Sequence, residues 1–477
     1  MVYFLSFFPL LAALAAFTCS SDRIRPWIIP FTAVLHSAGV IAVIFFPQAG
    51  SNTSWLVLDP AGKFILSAVS ILYLICSFYT VSYLHQRKER PNRVFTASFC
   101  AVIGTITLVI WSHHLGLLWI AMEATTLVSA PLIYFNHSKR SIEATWKYLL
   151  VGSVGIALAL LGTFVLAYAG IKGGLEPTMV LDGFLSGAAA ISKPWLHVAI
   201  ILLIVGYGTK MGLAPMHTWK PDAYGEAPGA AGAIFAGGVT SAAFIALFRV
   251  YQIAVSAGEF QFISRILTGM GLFSMAVAAV FMLNQRDFKR MLAYSSVEHM
   301  GILAFGLGLG TDALFGTFLH ITANMFTKGL LFLSAGNIQR AYESKHTDQV
   351  TGAILRLPFS GSLFLTGFFA ITGSPPFAPF ISEFSILKAA FTSGRYFSAA
   401  FFLMFLMIIF IGMGNTVLKV VQGNVPEDVA QKRYRERPGI IWPLFVFLAL
   451  MLLFGVYIPP AIKEMIYNAA GCLEHII

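Results

Sequence analysis

Residues 205–232 read VGYGTKMGLAPMHTWKPDAYGEAPGAAG, and this stretch decides how the rest of the chain is interpreted. An apolar run reaches it from Trp195, and a single lysine, Lys210, stands inside that run. An ammonium group inside a membrane helix costs about 2.5–3.5 kcal/mol on insertion scales. Gly212 and Pro215 follow, and proline breaks a helix because it lacks a backbone donor. Broken membrane helices are tolerated only against protein or a water-filled cavity. The stretch therefore predicts a discontinuous helix beside a hydrated site, with Lys210 as its functional charge.

The composition of the chain is that of a polytopic membrane protein. Of its 477 residues, 57% are hydrophobic and only 11% are charged, and the mean hydropathy is +0.78. The net charge of +10 does not indicate nucleic-acid binding, because the basic residues are spread over short loops between apolar runs. The apolar start of the chain has no basic residues before it, which favours a first membrane helix over a cleaved signal peptide. Four scattered cysteines show no metal-ligand spacing and are interpreted as ordinary membrane residues: Cys19, Cys76, Cys100 and Cys472.

Fourteen apolar runs are long enough, or nearly so, to cross about 30 Å of hydrocarbon. They lie near 3–19, 27–47, 63–84, 94–112, 115–135, 147–170, 195–216, 228–255, 262–284, 291–310, 313–338, 358–391, 396–421 and 440–462. The longest connection, about 171–194, is too short for a soluble domain, so any redox or hydrolytic chemistry must come from other chains.

Basic residues concentrate in the odd-numbered loops between these runs. They include Lys147, Lys220, Lys289 and the neighbours Lys432 and Arg433, whereas the even-numbered loops hold few. The positive-inside rule then predicts that the odd-numbered loops are cytoplasmic and that both termini lie outside.

A polar stripe runs along the eleventh run. His320, Asn324 and Lys328 are spaced by four residues and fall on one helical face, which must face protein or water rather than lipid. Two carboxyl groups, Glu123 and Glu383, stand in other apolar runs. A buried lysine beside a carboxylate can take up and release a proton near neutral pH, and histidine can relay one. The alternative is a salt-bridge network that only fixes helix packing.

Three other basic residues, Arg249, Lys388 and Lys419, also lie inside the apolar runs. Arg249 and Lys419 stand near the ends of their runs, where the alternative to an internal role is a side chain that extends to the membrane surface.

A second helix break follows five runs after the first. It contains Gly373, Pro375 and Pro376. Two interrupted spans at corresponding positions indicate two structural repeats with a site near the midplane. Each repeat holds an odd number of spans, so the repeats must be inverted relative to each other. The predicted divisions are three N-terminal helices (1–93), a first repeat of helices 4–8 (94–255), a second of helices 9–13 (262–421), and a C-terminal helix 14 (440–477).

Three motifs resemble those of a known family. KMGLAPMHTWKPDAYGEAPGAAGA (210–233), QRDFKRMLAYSSVEHMG (285–301) and GSPPFAPFISEF (373–384) are similar to the antiporter-like membrane subunits of respiratory complex I. The superfamily also includes membrane-bound hydrogenases and Mrp-type cation/proton antiporters. The resemblance implies an all-α polytopic fold of about fourteen transmembrane helices with two inverted five-helix repeats, each containing a broken helix.

The resemblance also implies a midplane proton path. The family's glutamate on the fifth helix and its lysine on the broken seventh helix fall on Glu123 and Lys210, and its central lysine and terminal acid in the second half fall on Lys328 and Glu383. Where some members carry a basic residue on the eighth helix, this chain offers only small residues such as Thr240, so the bridge between the halves stays open. We assign a secondary set of residues to the same path: Lys147, His217, Asp222, Glu298 and His299.

The implied function is that of a proton-translocating subunit in a redox-driven respiratory complex of the prokaryotic cytoplasmic (inner) membrane. The adjacent Glu298 and His299 make the hydrogenase-4 component F type the most similar. The alternatives are an Mrp-type Na⁺/H⁺ antiporter subunit, a subunit of complex I proper, or a scaffold whose charges only hold helices together.

We expect no cofactor or metal in this chain. Iron–sulfur clusters, and a nickel–iron centre if the complex is a hydrogenase, are expected in partner subunits. The expected partners of this obligate hetero-oligomer are other membrane subunits, a cytoplasmic redox arm and lipids, with no nucleic acid.

Overall fold

The computed structural model of the chain describes residues 1–46, 53–431 and 434–471, and within these ranges the fold is helical, with β-pairing confined to isolated bridges. The first half contains α1 (Val2–Thr18), α2 (Ile28–Phe45), α3 (Pro60–Gln86), α4 (Arg93–Trp111), α5 (Leu115–Tyr134), α6 (Lys139–Lys172), α7 (Leu181–Ser186), α8 (Lys193–Met211), α9 (Trp219–Glu226), α10 (Gly229–Ile234) and α11 (Thr240–Ser256). The second half contains α12 (Phe260–Met282), α13 (Phe288–Leu309), α14 (Thr311–Tyr342), α15 (Ala353–Arg356), α16 (Pro358–Ile371), α17 (Ala378–Thr392), α18 (Tyr396–Val421), α19 (Glu427–Ala430), α20 (Pro438–Val456) and α21 (Pro460–Ala470).

Each of the predicted apolar runs coincides with a helix or a pair of helices, but fewer segments of the described chain qualify as membrane spans by length and composition. Ten segments of the described chain are long and apolar enough to cross a membrane: Arg25–Phe45, α3, α4, α5, α6, α8, Gly229–Ser256, α12, α18 and α20. The long helices α13 and α14 are not among them, because charged and polar side chains interrupt both. The chain is therefore a multi-span membrane protein, and a total of fourteen crossings remains a prediction.

Two of the predicted runs are interrupted by non-helical turns. α8 ends at Met211, and Gly212 takes the left-handed conformation with φ +82°. The chain becomes helical again at Trp219, where α9 begins. α16 ends at Ile371, Gly373 has φ +69°, and α17 begins at Ala378. Glycine suits both turns because positive φ is strained for other residues.

The helices around these turns form the centre of the molecule. The segment Gly229–Ser256, which contains α10, a π-helical turn and α11, is buried along its whole apolar window. α14 packs against α10, α13, α16, α17 and α20. By contrast, α6, α12, α18 and α20 leave most of their apolar surface uncovered within this chain. Exposed apolar faces of this kind fit lipid or neighbouring subunits.

Several sequence expectations need correction or lie outside the described ranges. The fourteenth run is not one helix: α20 ends at Val456 and α21 starts at Pro460, because a proline pair cannot continue the first helix. The connection 171–194 is not a plain loop, since it contains α7. Cys472, Lys432 and Arg433, together with the end of the predicted division 440–477, fall outside the described residues.

The three other basic residues of the apolar runs have different surroundings. Arg249 is fully buried and donates a hydrogen bond of 2.5 Å to the carbonyl of Ile110, so it does not extend to the membrane surface. Lys388 and Lys419 lie on exposed faces of α17 and α18. Only Arg249 of these three is therefore an internal charge.

Candidate proton path

The first buried charge is Lys210, near the C-terminal end of α8. Its side chain is 1% exposed, and its ammonium group lies 5.1 Å from the ring centre of Tyr148. The Glu123 carboxylate on α5 attracts it electrostatically. No ion pair of 4.0 Å or less joins these two described residues, so the predicted Glu123–Lys210 switch is not a direct contact.

A threonine hydroxyl connects the two charged groups instead. Lys210 Nζ donates a hydrogen bond to Thr126 Oγ1, and that hydroxyl donates to Glu123 Oε2 at 3.2 Å. Glu123 Oε1 accepts a second hydrogen bond of 2.7 Å from Ser153 on α6. The four side chains come from α5, α6 and α8 and form one hydrogen-bonded line. A hydroxyl can accept one proton and donate another, so this arrangement can pass a proton between lysine and glutamate.

The broken end of α8 is closed by two residues of α9. The last carbonyl groups of a helix lack intrahelical partners. Trp219 Nε1 donates to the carbonyl of Thr209 at 2.9 Å, and Lys220 Nζ donates to that of Met211 at 2.7 Å. Lys220 is not an exposed loop charge as the sequence predicted, because it lies on α9 and its side chain is 0% exposed. A Pro-Asp sequence follows it and gave it the appearance of a loop residue.

The second half begins at Lys328 on α14. The whole polar stripe is buried: His320 and Lys328 are 0% exposed and Asn324 is 1% exposed. Lys328 Nζ donates to the carbonyl of Leu292 on α13 at 3.1 Å. The carboxylate of Glu298, also on α13, attracts it. The carboxylate that attracts Lys328 is thus Glu298, a residue that the sequence assigned only to the secondary set.

A chain of hydrogen bonds leads from His299 towards Glu383. His299 Nδ1 lies 3.0 Å from His320 Nε2, His320 Nδ1 lies 2.9 Å from Ser382 Oγ, and Ser382 donates to the carbonyl of Pro379 at 2.9 Å. The serine hydroxyl has one hydrogen, so it must accept from His320 Nδ1–H. His320 Nε2 then has a lone pair, and His299 Nδ1–H donates to it. The assigned tautomers give a directed relay from α13 through α14 to α17.

Glu383 is the next residue after Ser382, and its carboxyl group lies within 4.8 Å of the two histidines, outside the hydrogen-bonded chain, which ends at the Pro379 carbonyl. It is 6% exposed, and its Oε1 has no hydrogen-bond partner among the described residues. Its Oε2 lies against Gly373, where an added Cβ would come within 2.2 Å. The glycine of the second break therefore makes room for the carboxylate.

Two of the remaining members of the secondary set, Lys147 and Asp222, lie at a charged surface cavity of about 380 Å³. Asp222 forms ion pairs at 2.9 Å with both Lys147 and Arg290, and Lys147 also pairs with Glu143 at 2.6 Å. Asp222 follows Lys220 by two positions on α9, so the two side chains point in different directions: one to the cavity and one to the interior. His217 lies in the turn before α9 with its Nδ1 unpartnered in the described chain, and it makes no hydrogen bond with the path.

One group of side chains in the described chain has the spacing of a metal site. Ligand atoms of His299, His320 and Glu383 lie within 4.8 Å of one another. His299 Nδ1 and His320 Nε2 are already hydrogen-bonded to each other, and the other ring nitrogen of His320, Nδ1, is hydrogen-bonded to Ser382. These hydrogen bonds favour a proton relay over a cation site.

Sequence reasoning missed three residues that complete the hydrogen-bonded lines, Thr126, Ser153 and Ser382, and it missed the burial of Lys220. Hydroxyl residues are frequent in membrane helices, and only the packing of α5 and α8 on α6 and of α14 on α17 distinguishes these from the others. For Lys220 a signal existed, since its charge stands beside the helix break.

The fold and this buried line of charges define a class of protein, the antiporter-like membrane subunits. Residues 112–410 match the family described as NADH:quinone oxidoreductase/Mrp antiporter, TM, and the chain belongs to that family. It is 30% identical over 480 aligned positions to a hydrogenase-4 component F homolog of Methylacidiphilum infernorum (isolate V4), an alignment that covers 98% of both chains.

Solved structures show the same fold. A chain of the membrane-bound sulfane sulfur reductase, an archaeal respiratory membrane complex, superposes with a TM-score of 0.86 at 20% identity and covers 98% of this chain and 97% of its own. A chain of the Mrp complex from Dietzia sp. DQ12-45-1b gives a TM-score of 0.85 at 19% identity, with 99% and 97% covered. The family is therefore that predicted from the three motifs.

Proposed function

We propose that the chain is a proton-translocating subunit of a redox-driven complex in the prokaryotic cytoplasmic membrane, of the hydrogenase-4 component F kind. The observation that carries the proposal is the pair of buried hydrogen-bonded lines, one from Glu123 to Lys210 and one from His299 to Ser382, with the Glu383 carboxyl within 4.8 Å of the two histidines. Buried charges of this kind are poor stabilisers once their desolvation is counted, so packing alone is a weak reason for their presence. The full-length similarity to a hydrogenase-4 component F homolog supports the choice of complex.

The mechanism follows from the charges of the two halves. The Lys210 ammonium and the Glu123 carboxylate stabilise each other's charge, and loss of the proton from Lys210 ends that stabilisation. A neighbouring subunit that attracts or protonates the Glu123 carboxylate would therefore change the proton affinity of Lys210. In the second half, Glu298 has the same relation to Lys328, and the histidine relay leads away from His299. Buried unpartnered oxygens, among them Asn324 Oδ1 and Glu383 Oε1, are groups with which ordered water pairs.

This proposal includes the finer architecture that the motifs implied. The chain would cross the membrane fourteen times, with both termini outside and two inverted repeats at 94–255 and 262–421. The three N-terminal helices (1–93) and the C-terminal segment (440–477) would flank the repeats. No cofactor would bind this chain. The iron–sulfur clusters, and the nickel–iron centre of a hydrogenase, would be carried by the redox arm.

A second candidate function is that of an Mrp-type Na⁺/H⁺ antiporter subunit without a redox partner. The superposition on a chain of the Mrp complex supports it, and so does the family description, which names both NADH:quinone oxidoreductase and the Mrp antiporter. For the same reason, a subunit of complex I proper is a further alternative. The buried line of charges suits all three, because none of these roles requires redox chemistry in this chain.

Purification through a tag on this chain distinguishes the candidates. The membrane would be solubilised in a mild detergent, and the accompanying proteins identified by mass spectrometry. Iron–sulfur and hydrogenase-type subunits are expected. Recovery of only small membrane subunits, followed by sodium-dependent proton flux in vesicles without any redox substrate, would refute the redox-driven proposal in favour of the exchanger.

A further inference from the structure

The interior position of Lys220 is the feature that the two lines of the path do not use. It is the second residue of α9 and folds back under the broken end of α8. A Cβ at Gly212 would lie 2.5–2.8 Å from the last three atoms of the lysine side chain. Glycine at this break therefore allows the positive φ and also leaves the space through which the lysine passes.

The hydrogen-bond partners of Lys220 among the described residues are backbone oxygens, and its ammonium group also lies 5.7 Å from the ring centre of Tyr224. Its ammonium group donates to the carbonyls of Met211 at 2.7 Å and Ser296 at 3.3 Å. No carboxylate of the described residues forms an ion pair of 4.0 Å or less with it. The free carbonyls at a helix C-terminus carry partial negative charge and lower the cost of a cation there. A neutral donor such as glutamine would close the helix end without burying a charge, so closure alone does not explain a lysine.

The two carbonyls join the halves of the path. Met211 follows Lys210 directly. Ser296 lies on α13 one turn after Leu292, whose carbonyl accepts from Lys328. Carbonyls four residues apart in an α-helix are separated by about 6 Å along the axis. Lys220 and Lys328 are close enough for their ammonium groups to repel each other.

The sequence left the bridge between the halves open because its eighth apolar run offers small residues such as Thr240, and the one basic residue of α11, Arg249, bonds to the carbonyl of Ile110. On α11, the Thr240 hydroxyl donates to the carbonyl of Ala236 at 2.7 Å, and the Ser241 hydroxyl donates to that of Gly237. Both hydroxyls are used by their own helix. The interior between Lys210 and Lys328 is therefore supplied with a cation by α9.

We infer that Lys220 is the proton-exchanging group that links Lys210 to Lys328, an inference that rests on the proposed proton translocation. Mutual repulsion disfavours charge on Lys220 and Lys328 together. A proton that arrives on Lys220 from the side of Lys210 therefore drives one proton from Lys328 towards Glu298 and the histidine relay. The step balances: Lys210 loses the proton that Lys220 gains, and Lys328 loses the proton that Glu298 gains.

The test is Lys220→Arg in the intact complex, with Lys289→Arg as the matched control. Arginine keeps the charge and the donors that close α8, but it does not release its proton at physiological pH. Lys289 is also 0% exposed and donates to a carbonyl, that of Ala227 at 2.5 Å, but it lies outside both lines. Native gels would measure assembly, and a pH-sensitive dye in inverted vesicles would measure translocation driven by the donor that the copurified redox subunits oxidise.

The inference predicts that Lys220→Arg assembles and loses at least tenfold in translocation rate, whereas Lys289→Arg translocates as wild type. Translocation at the wild-type rate by an assembled Lys220→Arg complex would overturn it. If arginine does not fit, Lys220→Gln keeps a neutral donor for the carbonyls. A failure of both variants to assemble would also overturn the inference, since the role would then be structural. Lys210→Ala in the same assay separates the two proposals. Normal translocation by Lys210→Ala would refute the proposed function. Normal translocation by Lys220→Arg, with loss of translocation in Lys210→Ala, would refute only the role of Lys220 as the link between Lys210 and Lys328.

Discussion

Thr126 provides the sharpest test of the first half, because its hydroxyl alone connects Lys210 to Glu123. Thr126→Val removes the oxygen that accepts from Lys210 Nζ and donates to Glu123 Oε2 at 3.2 Å, and it keeps nearly the same volume. Among the described residues, Thr126 is the hydrogen-bond acceptor of the Lys210 ammonium group. Valine at this position would leave that ammonium group only its contact with the ring of Tyr148. A hydrogen bond to a charged group contributes about 1.5–3 kcal/mol. At about 1.4 kcal/mol for each factor of ten, proton transfer should slow by about 10- to 150-fold.

The assay would follow proton translocation by the purified, reconstituted complex, with electron transfer measured in parallel. Thr125→Val is the control, because that hydroxyl is equally buried but donates only to the carbonyl of Met122 at 2.7 Å. Thr126→Ser, which restores the oxygen, should recover most of the rate. An assembled Thr126→Val complex that translocates at the wild-type rate would refute the hydroxyl link. Equal losses in Thr125→Val would show that the effect is one of packing.

Two further predictions concern the second break and the loop before α12. Gly373→Ala would combine a strained positive φ with a Cβ 2.2 Å from the Glu383 carboxylate, so it should lower both Tm and the rate of proton translocation. The control is Gly394→Ala, which has a similar φ of +71° but open space around the added Cβ, so it should lower Tm alone. Equal translocation in the two variants would contradict the proposed place of Glu383. At the start of α12, the hydrogen bond from His197 at 2.7 Å holds the pKa of Glu259 below its usual range. A carboxyl with a lowered pKa stabilises the fold above its unfolded pKa and loses that contribution as the pH falls. Glu259→Gln should therefore lower Tm by about 1–2 °C at pH 7 and by less at pH 4. A difference in Tm that does not change with pH would contradict the ion pair between His197 and Glu259.

The sequence predicted the charges of the path better than the contacts between them. Lys210 and Lys328 stand out because an isolated cation in an apolar run has few explanations. The glycine and proline residues after Lys210 and before Glu383 located the two helix breaks. Thr126 could not be found in this way, because its role depends on α5 and α8 both packing on α6. Lys220 was misplaced because loop charge and buried charge look alike beside a Pro-Asp turn.

The membrane-crossing count shows the same limit. The polar residues that give α14 its proposed function, such as His320 and Asn324, also lower its hydropathy below that of an ordinary span. Hydropathy therefore finds α5 and α8, which carry Glu123 and Lys210, but misses α13 and α14, which carry Glu298, His299 and the polar stripe. Helix periodicity, which placed the stripe on one face, does not depend on total hydropathy.

The central claim is that proton translocation passes through Lys210, and the most direct measurement is the number of protons translocated per electron by the complex with Lys210→Ala. Lys289→Ala is the control for removal of a buried lysine elsewhere. The proposed mechanism predicts an assembled Lys210→Ala complex that translocates no protons through this subunit, so that the ratio falls below that of the control. An unchanged ratio in a fully assembled Lys210→Ala complex would contradict it.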